Sequence, residues 1–367
     1  VKIYDLLDVE LLGSHVEARL VSETAHPTEP LVIYNYTQTC QYTGRWDDVT
    51  KRCRGLIVNS ETQEVVARPF SKFFNLGEHH GGTPAAGPLN LQPPLRVYDK
   101  MDGSLGIAYR LPSTGALAWA TRGSFFSEQA AWATEYWNER YDMCELDENF
   151  TWLAEIIYPQ NRIVVDYGNY ASLVLLSIID TETGLHHETL ELKAQWPVDH
   201  VDFFGEATDP ETVDPNDRTG AEGYVILSGD GVTRVKVKAD EYVRLHRLVT
   251  GVSSRTIWEM LSSGAPLEEL YEKVPDEFSD WVNQTVDSLN NQFREIVETV
   301  TYDFIEVLHR TDHLTREQEV DRRQFAEVAK ETQYPGLLFA LLDNKDISAR
   351  IWKMVKPEWT LPFRKDE

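Results

Sequence analysis

At 367 residues the chain has room for one large domain and a smaller one, each with its own core. Its 42% apolar and 26% charged composition is that of a globular protein, and no apolar run is long enough to cross a bilayer as a helix. A net charge of −25 excludes a generally basic nucleic-acid binder and leaves phosphate only a localised basic groove, because such binding depends on lysine and arginine displacing counterions.

Taken in chain order, the first residues, Val1 to Glu10, are acidic where a signal peptide would be basic. Cys40, Cys53 and Cys144 form no C-x-x-C pair, so neither a zinc site nor a disulfide framework is expected. The expectation is a cytoplasmic protein without a membrane segment. Short apolar or alternating runs then predict strands at Leu31 to Tyr36, Gly55 to Val58, Leu95 to Tyr98, Leu105 to Tyr109, Ser172 to Ile179, Tyr224 to Leu227 and Thr233 to Val237. Asp102-Gly103, Thr183-Gly184 and Gly229-Asp230-Gly231 punctuate them as turns. Ser127 to Arg140 reads as a helix, and the segment Gly81 to Pro94, rich in Gly and Pro, as a connection.

After Thr250 the texture changes. Phe278, Trp281, Val282, Val286, Leu289, Phe293, Ile296, Val297, Val300, Phe304, Ile305 and Leu308 recur at spacings of three and four, which predicts one long amphipathic helix. Shorter helices are predicted near Arg322 to Lys330, Gly336 to Leu342 and Ile347 to Val355. The chain is therefore expected to divide into an α+β domain, residues 1–248, and an all-helical domain, residues 249–367.

Charge divides unevenly along this plan. Lys51 to Arg110 holds eight basic and five acidic residues, and Gly231 to Thr250 five and two, whereas Ile257 to Asp343 is net −12. Any groove for an anion therefore belongs to the first two stretches, and the acidic excess is a solvated surface.

The first basic stretch contains Arg96-Val97-Tyr98-Asp99-Lys100-Met101-Asp102-Gly103-Ser104-Leu105, which reads as strand, tight turn, strand. In extended geometry Lys100 and Asp102 share a face, and Gly103 lets backbone approach a ligand closely. Such a lysine is either the side chain of a surface hairpin or a nucleophile that attacks phosphorus as the neutral amine. In Val235-Lys236-Val237-Lys238 two ammonium groups share one face of a strand, as a solvated edge or as an anion site. Beside a triphosphate they would offset charge on the α-phosphate and disfavour the charged form of a neighbouring lysine. Glu155, inside the apolar run Trp152 to Tyr158, and Glu222, before Gly223-Tyr224-Val225, must face water or meet a cation. In a nucleotide site, that means a ribose hydroxyl or a hydrated magnesium ion.

The order Arg54-Gly55, Lys100-x-Asp102-Gly103, Glu155, Glu222-Gly223, Lys236-x-Lys238 resembles the covalent nucleotidyltransferase superfamily of DNA ligases, RNA ligases and capping enzymes. Within it the chain is more similar to the RNA ligase 1 family, the phage-type tRNA-repair ligases. That resemblance rests on Tyr34-Asn35-Tyr36, Cys53-Arg54-Gly55, the run Arg68-Pro69-Phe70-Ser71-Lys72-Phe73-Phe74-Asn75-Leu76, Ser124 with Ser127-Glu128-Gln129-Ala130-Ala131, Asn161 to Val164, and Tyr242-Val243-x-Leu245-His246. The region after Lys238 lacks the β-rich pattern of the OB domain that DNA ligases and capping enzymes carry there.

The resemblance implies a ligase-type nucleotidyltransferase fold, with antiparallel sheets cradling ATP in an ATP-grasp-like manner, followed by the all-α domain. It implies an ATP-dependent RNA ligase acting with Mg2+ (or Mn2+) on RNA 5′-phosphate and 3′-hydroxyl ends, nicked tRNA being one such substrate. Lys100 would form lysyl-AMP, with Lys236 and Lys238 holding the α-phosphate. Arg54 and Lys72 would contact phosphates or ribose, Phe74 would pack near the nucleotide, and Asp102, Gly103 and Tyr242 would support the ATP site. Glu155 and Glu222 would bind ribose or order the water of the metal. Arg122 stands where the family commonly has a lysine, so its phosphate contact would be a planar fork rather than a point donor. Glu268 and Glu269 are candidates for a second metal, and Arg316, Arg322, Arg323 and Lys330 for RNA contact. The alternatives are another covalent nucleotidyltransferase, of DNA ligase or capping type, and a non-catalytic RNA-binding relative.

Overall fold

The computed structural model describes residues 1–80, 86–250, 252–268, 270, 279–311 and 321–358. Part of the predicted connection at 81–94, together with Glu269, Phe278 and Arg316, lies outside the described residues. The chain falls into two compact units, Val1–Val249 and Thr250–Glu367.

The first unit is built on three antiparallel sheets. The first takes β1 (Val21–Ala25), β2 (Leu31–Tyr36), β3 (Arg54–Asn59) and β4 (Val65–Ala67) in that order. The next strands are β5 (Leu95–Asp99), β6 (Ser104–Arg110), β7 (Leu117–Ala120), β8 (Phe150–Ile157), β9 (Ser172–Asp180) and β10 (His186–His187). The last are β11 (Phe203–Ala207), β12 (Gly223–Leu227) and β13 (Arg234–Lys238). The second sheet runs β10-β9-β8-β6-β7 and the third β11-β5-β12-β13.

One expectation is corrected by this topology. The segment around Lys100 is not a hairpin: β5 belongs to the third sheet and β6 to the second, so residues 100–103 carry the chain from one sheet to the other. Gly103 is needed at that crossing because a Cβ there would lie 2.6 Å from the Ile156 carbonyl oxygen of β8.

Sequence alternation decides what each face of the sheets meets. On one face of the second sheet, Trp119, Trp152 and Ile156 pack with Trp137 of helix Glu128–Tyr141 and with Trp196. On its other face, Ile107, Tyr109, Ala118 and Ala120 meet Leu31, Ile33, Ile57 and Ala67 of the first sheet. In the third sheet Leu95, Ile226 and Val235 turn to an apolar core with Leu76. Their strand neighbours Tyr98, Val225, Leu227 and Arg234 face a cavity instead. A cavity thus exists because the third sheet turns a mixed polar face inward rather than an apolar one.

In the second unit the helix Ser279–Arg310 buries Val282, Val286, Leu289, Val300 and Val307. Val300 and Val307 share a core with Phe325, Leu338 and Ile351 from helices Arg322–Ala329, Pro335–Leu342 and Ser348–Met354. Ile305, counted in the apolar stripe, is 56% exposed, because its position on the helix turns away from that core. No described helix is long and apolar enough to cross a membrane.

Candidate active site

A cavity of about 510 Å3 lies in the first unit, its walls including Lys100, Glu155, Arg54, Arg122 and Gly103. Lys100 directly follows β5, and its backbone N–H donates to the Gly223 carbonyl at 3.0 Å, which ties the residue to the start of β12. Its side chain reaches a buried carboxylate: Nζ is 2.8 Å from Glu222 Oε1. The same oxygen receives Lys238 Nζ at 3.2 Å. Residues 138 positions apart in sequence therefore converge on Glu222, because β12 pairs with both β5 and β13. Lys236 alternates onto the same face of β13, and it is buried. Gly223 makes this junction possible, having φ +140° and no Cβ; one placed there would lie 2.1 Å from the Val237 carbonyl oxygen.

Glu155 projects from β8, opposite Leu105 in β6. Burial pushes its carboxyl up to about 8, against the opposing pull of Lys100. The carboxyl is therefore favoured as the neutral acid at neutral pH until a cation arrives.

Asp102 is placed differently. Its carboxylate accepts from the backbone N–H groups of Val164 and Val165 at 2.8 and 2.7 Å and from the Tyr242 hydroxyl at 2.8 Å. Its own N–H donates to the Tyr167 hydroxyl. Lys100 and Asp102 are thus directed to different partners, as the crossing between sheets requires. Tyr242 also lies under Lys238, 5.3 Å from Nζ to the ring centroid. Tyr242 and Asp102 together join the Lys100 segment to the helix after β13.

Lys72 is buried among three rings, its Nζ 5.5, 5.4 and 5.2 Å from the centroids of Tyr36, Trp46 and Phe74. Arg122 donates to the Tyr36 hydroxyl at 2.6 Å. Phe70 and Phe73 line the cavity, and the Arg54 guanidinium stacks near both. Phe74 is buried beside Trp46 and His79 instead, and its carbonyl accepts from Lys236 N–H at 3.1 Å. Ser177, His186 and Arg234 also line the cavity, and none was singled out from the sequence. The signal for Arg234 was available, since Arg234, Lys236 and Lys238 alternate on one face.

Among the described residues no three carboxylates, histidines or cysteines gather as a metal cage, and Glu268 lies in the other unit. What the cavity offers is a lysine held by a carboxylate, further cations beside it, and one carboxyl poised to ionise.

The family model for RNA ligase matches residues 52–242, more than half of the chain. A protein of Autographa californica nuclear polyhedrosis virus, described as a candidate bifunctional polynucleotide kinase/RNA ligase, is 30% identical over 220 residues, 54% of this chain and 31% of that protein. RNA ligase 1 of bacteriophage TS2126 is 29% identical over 220 residues, 54% of this chain and 52% of its own length. Among solved structures, the Naegleria gruberi RNA ligase with PPi aligns at a TM-score of 0.36 and 20% identity, covering 42% of this chain and 52% of that one. The chain spans roughly a third to a half of the length of these curated relatives. With the matched segment running from before Arg54 to Tyr242, and so enclosing the cavity residues Lys100, Glu155 and Arg234, the chain belongs to the RNA ligase family.

Proposed function

We propose that this chain is an ATP-dependent RNA ligase that carries AMP on Lys100 and joins RNA 5′-phosphate and 3′-hydroxyl ends. The observation that carries the reading is the convergence of Lys100 and Lys238 on one oxygen of buried Glu222, beside a cavity of nucleotide size. Residues 1–248 would form the adenylyltransferase domain and 249–367 a helical accessory domain.

In the first step the neutral Lys100 amine attacks the α-phosphorus of ATP. An N–P bond forms, the bond to the β-phosphate oxygen breaks, and pyrophosphate leaves. The ion pair with Glu222 must open first, because a protonated Nζ has no lone pair to give. Lys236 and Lys238 offset charge building on the α-phosphate, and Arg54, Lys72 and Arg122 serve the remaining phosphates. In the second step an RNA 5′-phosphate oxygen attacks the same phosphorus, and Lys100 takes up a proton and leaves with its electron pair as the amine. In the third the RNA 3′-hydroxyl, losing its proton, attacks the 5′-phosphorus and AMP departs.

Glu155 and Glu222 fit a divalent ion that keeps its water shell and arrives with the triphosphate, which needs no cage of three protein ligands. Mg2+ (or Mn2+) held there would neutralise phosphate charge and orient the leaving pyrophosphate. Repair of broken RNA, nicked tRNA included, is the role this reading assigns. The purified chain, ATP and magnesium should seal nicked tRNA or linear 5′-phosphate RNA, and Lys100→Ala should seal neither. Sealing by Lys100→Ala at the native rate would refute the reading.

A further inference from the structure

The inner wall of the cavity holds a cation that the reaction above does not use. Arg234 is 8% exposed. Its Nη1 donates to the Val232 carbonyl at 2.9 Å, its Nη2 reaches Ser177 Oγ only at 3.5 Å, and its Cζ lies 4.6 Å from the Phe70 ring centroid. Among the described residues no carboxylate forms an ion pair with it, and Asp230 attracts it only from beyond contact distance. Burying a guanidinium without an ion-pair partner is costly, and burial pushes this one down to about 10. Donors remain for a ligand.

Its position says which part of a ligand. Arg234 and Lys238 share a face of β13 four residues apart, about 13 Å along the strand. That is roughly the reach of an extended nucleotide from its α-phosphate to the far edge of its base. Leu176, Leu227, Val225 and Phe70 line the cavity with Arg234. Apolar walls of this kind suit the faces of a planar base and cannot solvate a phosphate. An arginine only donates, so it reads acceptor atoms.

We propose that Arg234, stacked on Phe70 and steadied by Ser177, reads a ring-nitrogen acceptor of the purine and is a specificity-determining residue for the nucleotide. The inference rests on the proposed use of ATP. Guanine shares the N3 and N7 acceptors with adenine but carries a hydrogen on N1, so a contact to N3 or N7 selects purine over pyrimidine alone, whereas a contact to N1 also selects ATP over GTP.

The test is calorimetric binding in a Lys100→Ala background, which prevents turnover, with ATP and its 1-, 3- and 7-deaza analogues. Each analogue replaces one ring nitrogen by C–H. With Arg234 present, one analogue should bind about 10- to 100-fold more weakly than ATP, the cost of leaving a buried donor unpaired. Arg234→Met should weaken ATP by a similar factor and bind that analogue no worse than ATP. Equal binding of ATP and all three analogues when Arg234 is present overturns the proposal, a result that needs no Arg234 variant to fold. So does the same discrimination persisting in Arg234→Met. A residue that only braced the fold would lower the melting temperature and leave the analogue ratio unchanged. Label transfer from ATP to the native chain tests the ligase reading separately, so the two failures are distinguishable.

Discussion

A carboxyl on the inner face of β8, with Lys100 and Arg54 among the charges acting on it, still titrates at about 8 because burial outweighs both cations. Its folded value lies above the ordinary 4.5, so Glu155 adds stability that is full below about pH 4.5 and lost as pH rises through about 8. The melting temperature of the nucleotide-free protein should therefore fall between about pH 5 and 8, and Glu155→Gln should flatten that slope. Because a metal ion or its water needs the ionised carboxyl, loading with magnesium and ATP below pH 8 should release a proton. Calorimetry in two buffers of different ionisation enthalpy would register it, and a release unaffected by Glu155→Gln would remove Glu155 from the metal site. Lys236 and Lys238 bear on the same chemistry from β13. Replacing both by alanine should slow lysyl-AMP formation by at least about 10²–10³. Adenylylation at the native rate would reduce the pair to the solvated edge that the sequence also allowed.

At the level of strands, the site depends on three close passages of backbone. Gly55, Gly103 and Gly223 each lie where a Cβ would meet another group at 2.6 Å or less. Gly223 is the most constrained, since it is both at positive φ and against Val237 of the neighbouring strand. Gly223→Ala should cost about 1–3 kcal/mol of stability and, by parting β12 from β13, move Glu222 away from Lys238. Urea unfolding together with label transfer would show both effects; an unchanged midpoint would contradict the packing described. Much of this level was legible beforehand. Alternation located β2, β9 and β12 within a residue or two, and the three- and four-residue spacing located Ser279–Arg310. Sheet membership was not legible, because Asp102-Gly103 carries a local turn signal while the partners of β5 and β6 are chosen by distant strands. The short edge strands β10 and β11 escaped notice because exposed edges such as Phe203 and Phe204 have no buried face to impose a pattern. Lys100, Glu155, Glu222 and Lys238 were picked out by residue type and order. Phe70 was not, since nothing local marks a cavity-facing ring, and Arg234 was legible only as a third basic residue alternating with Lys236 and Lys238.

Across the whole chain, a net charge of −25 would confine any RNA contact to few places. In the second unit Arg322 is paired with Asp343 at 2.9 Å and Lys330 with Glu327 at 2.8 Å. Solvent screens exposed pairs of this kind, so phosphate could displace them. Truncation after Val249 should leave label transfer from ATP largely intact, because every residue assigned to that step precedes it. If the helices read RNA, the truncated chain should lose sealing of nicked tRNA more than of linear RNA, and its salt slope for RNA binding should become shallower. An unchanged slope with unchanged substrate choice would leave the helices a structural role. All of this stands on Lys100 bearing AMP. The direct measurement is peptide mapping by mass spectrometry after incubation with ATP and magnesium. The account predicts an acid-labile AMP adduct on the peptide containing Lys100, absent from Lys100→Ala and Lys100→Arg. An adduct on a different residue, or one that persists in Lys100→Ala at native yield, would contradict it.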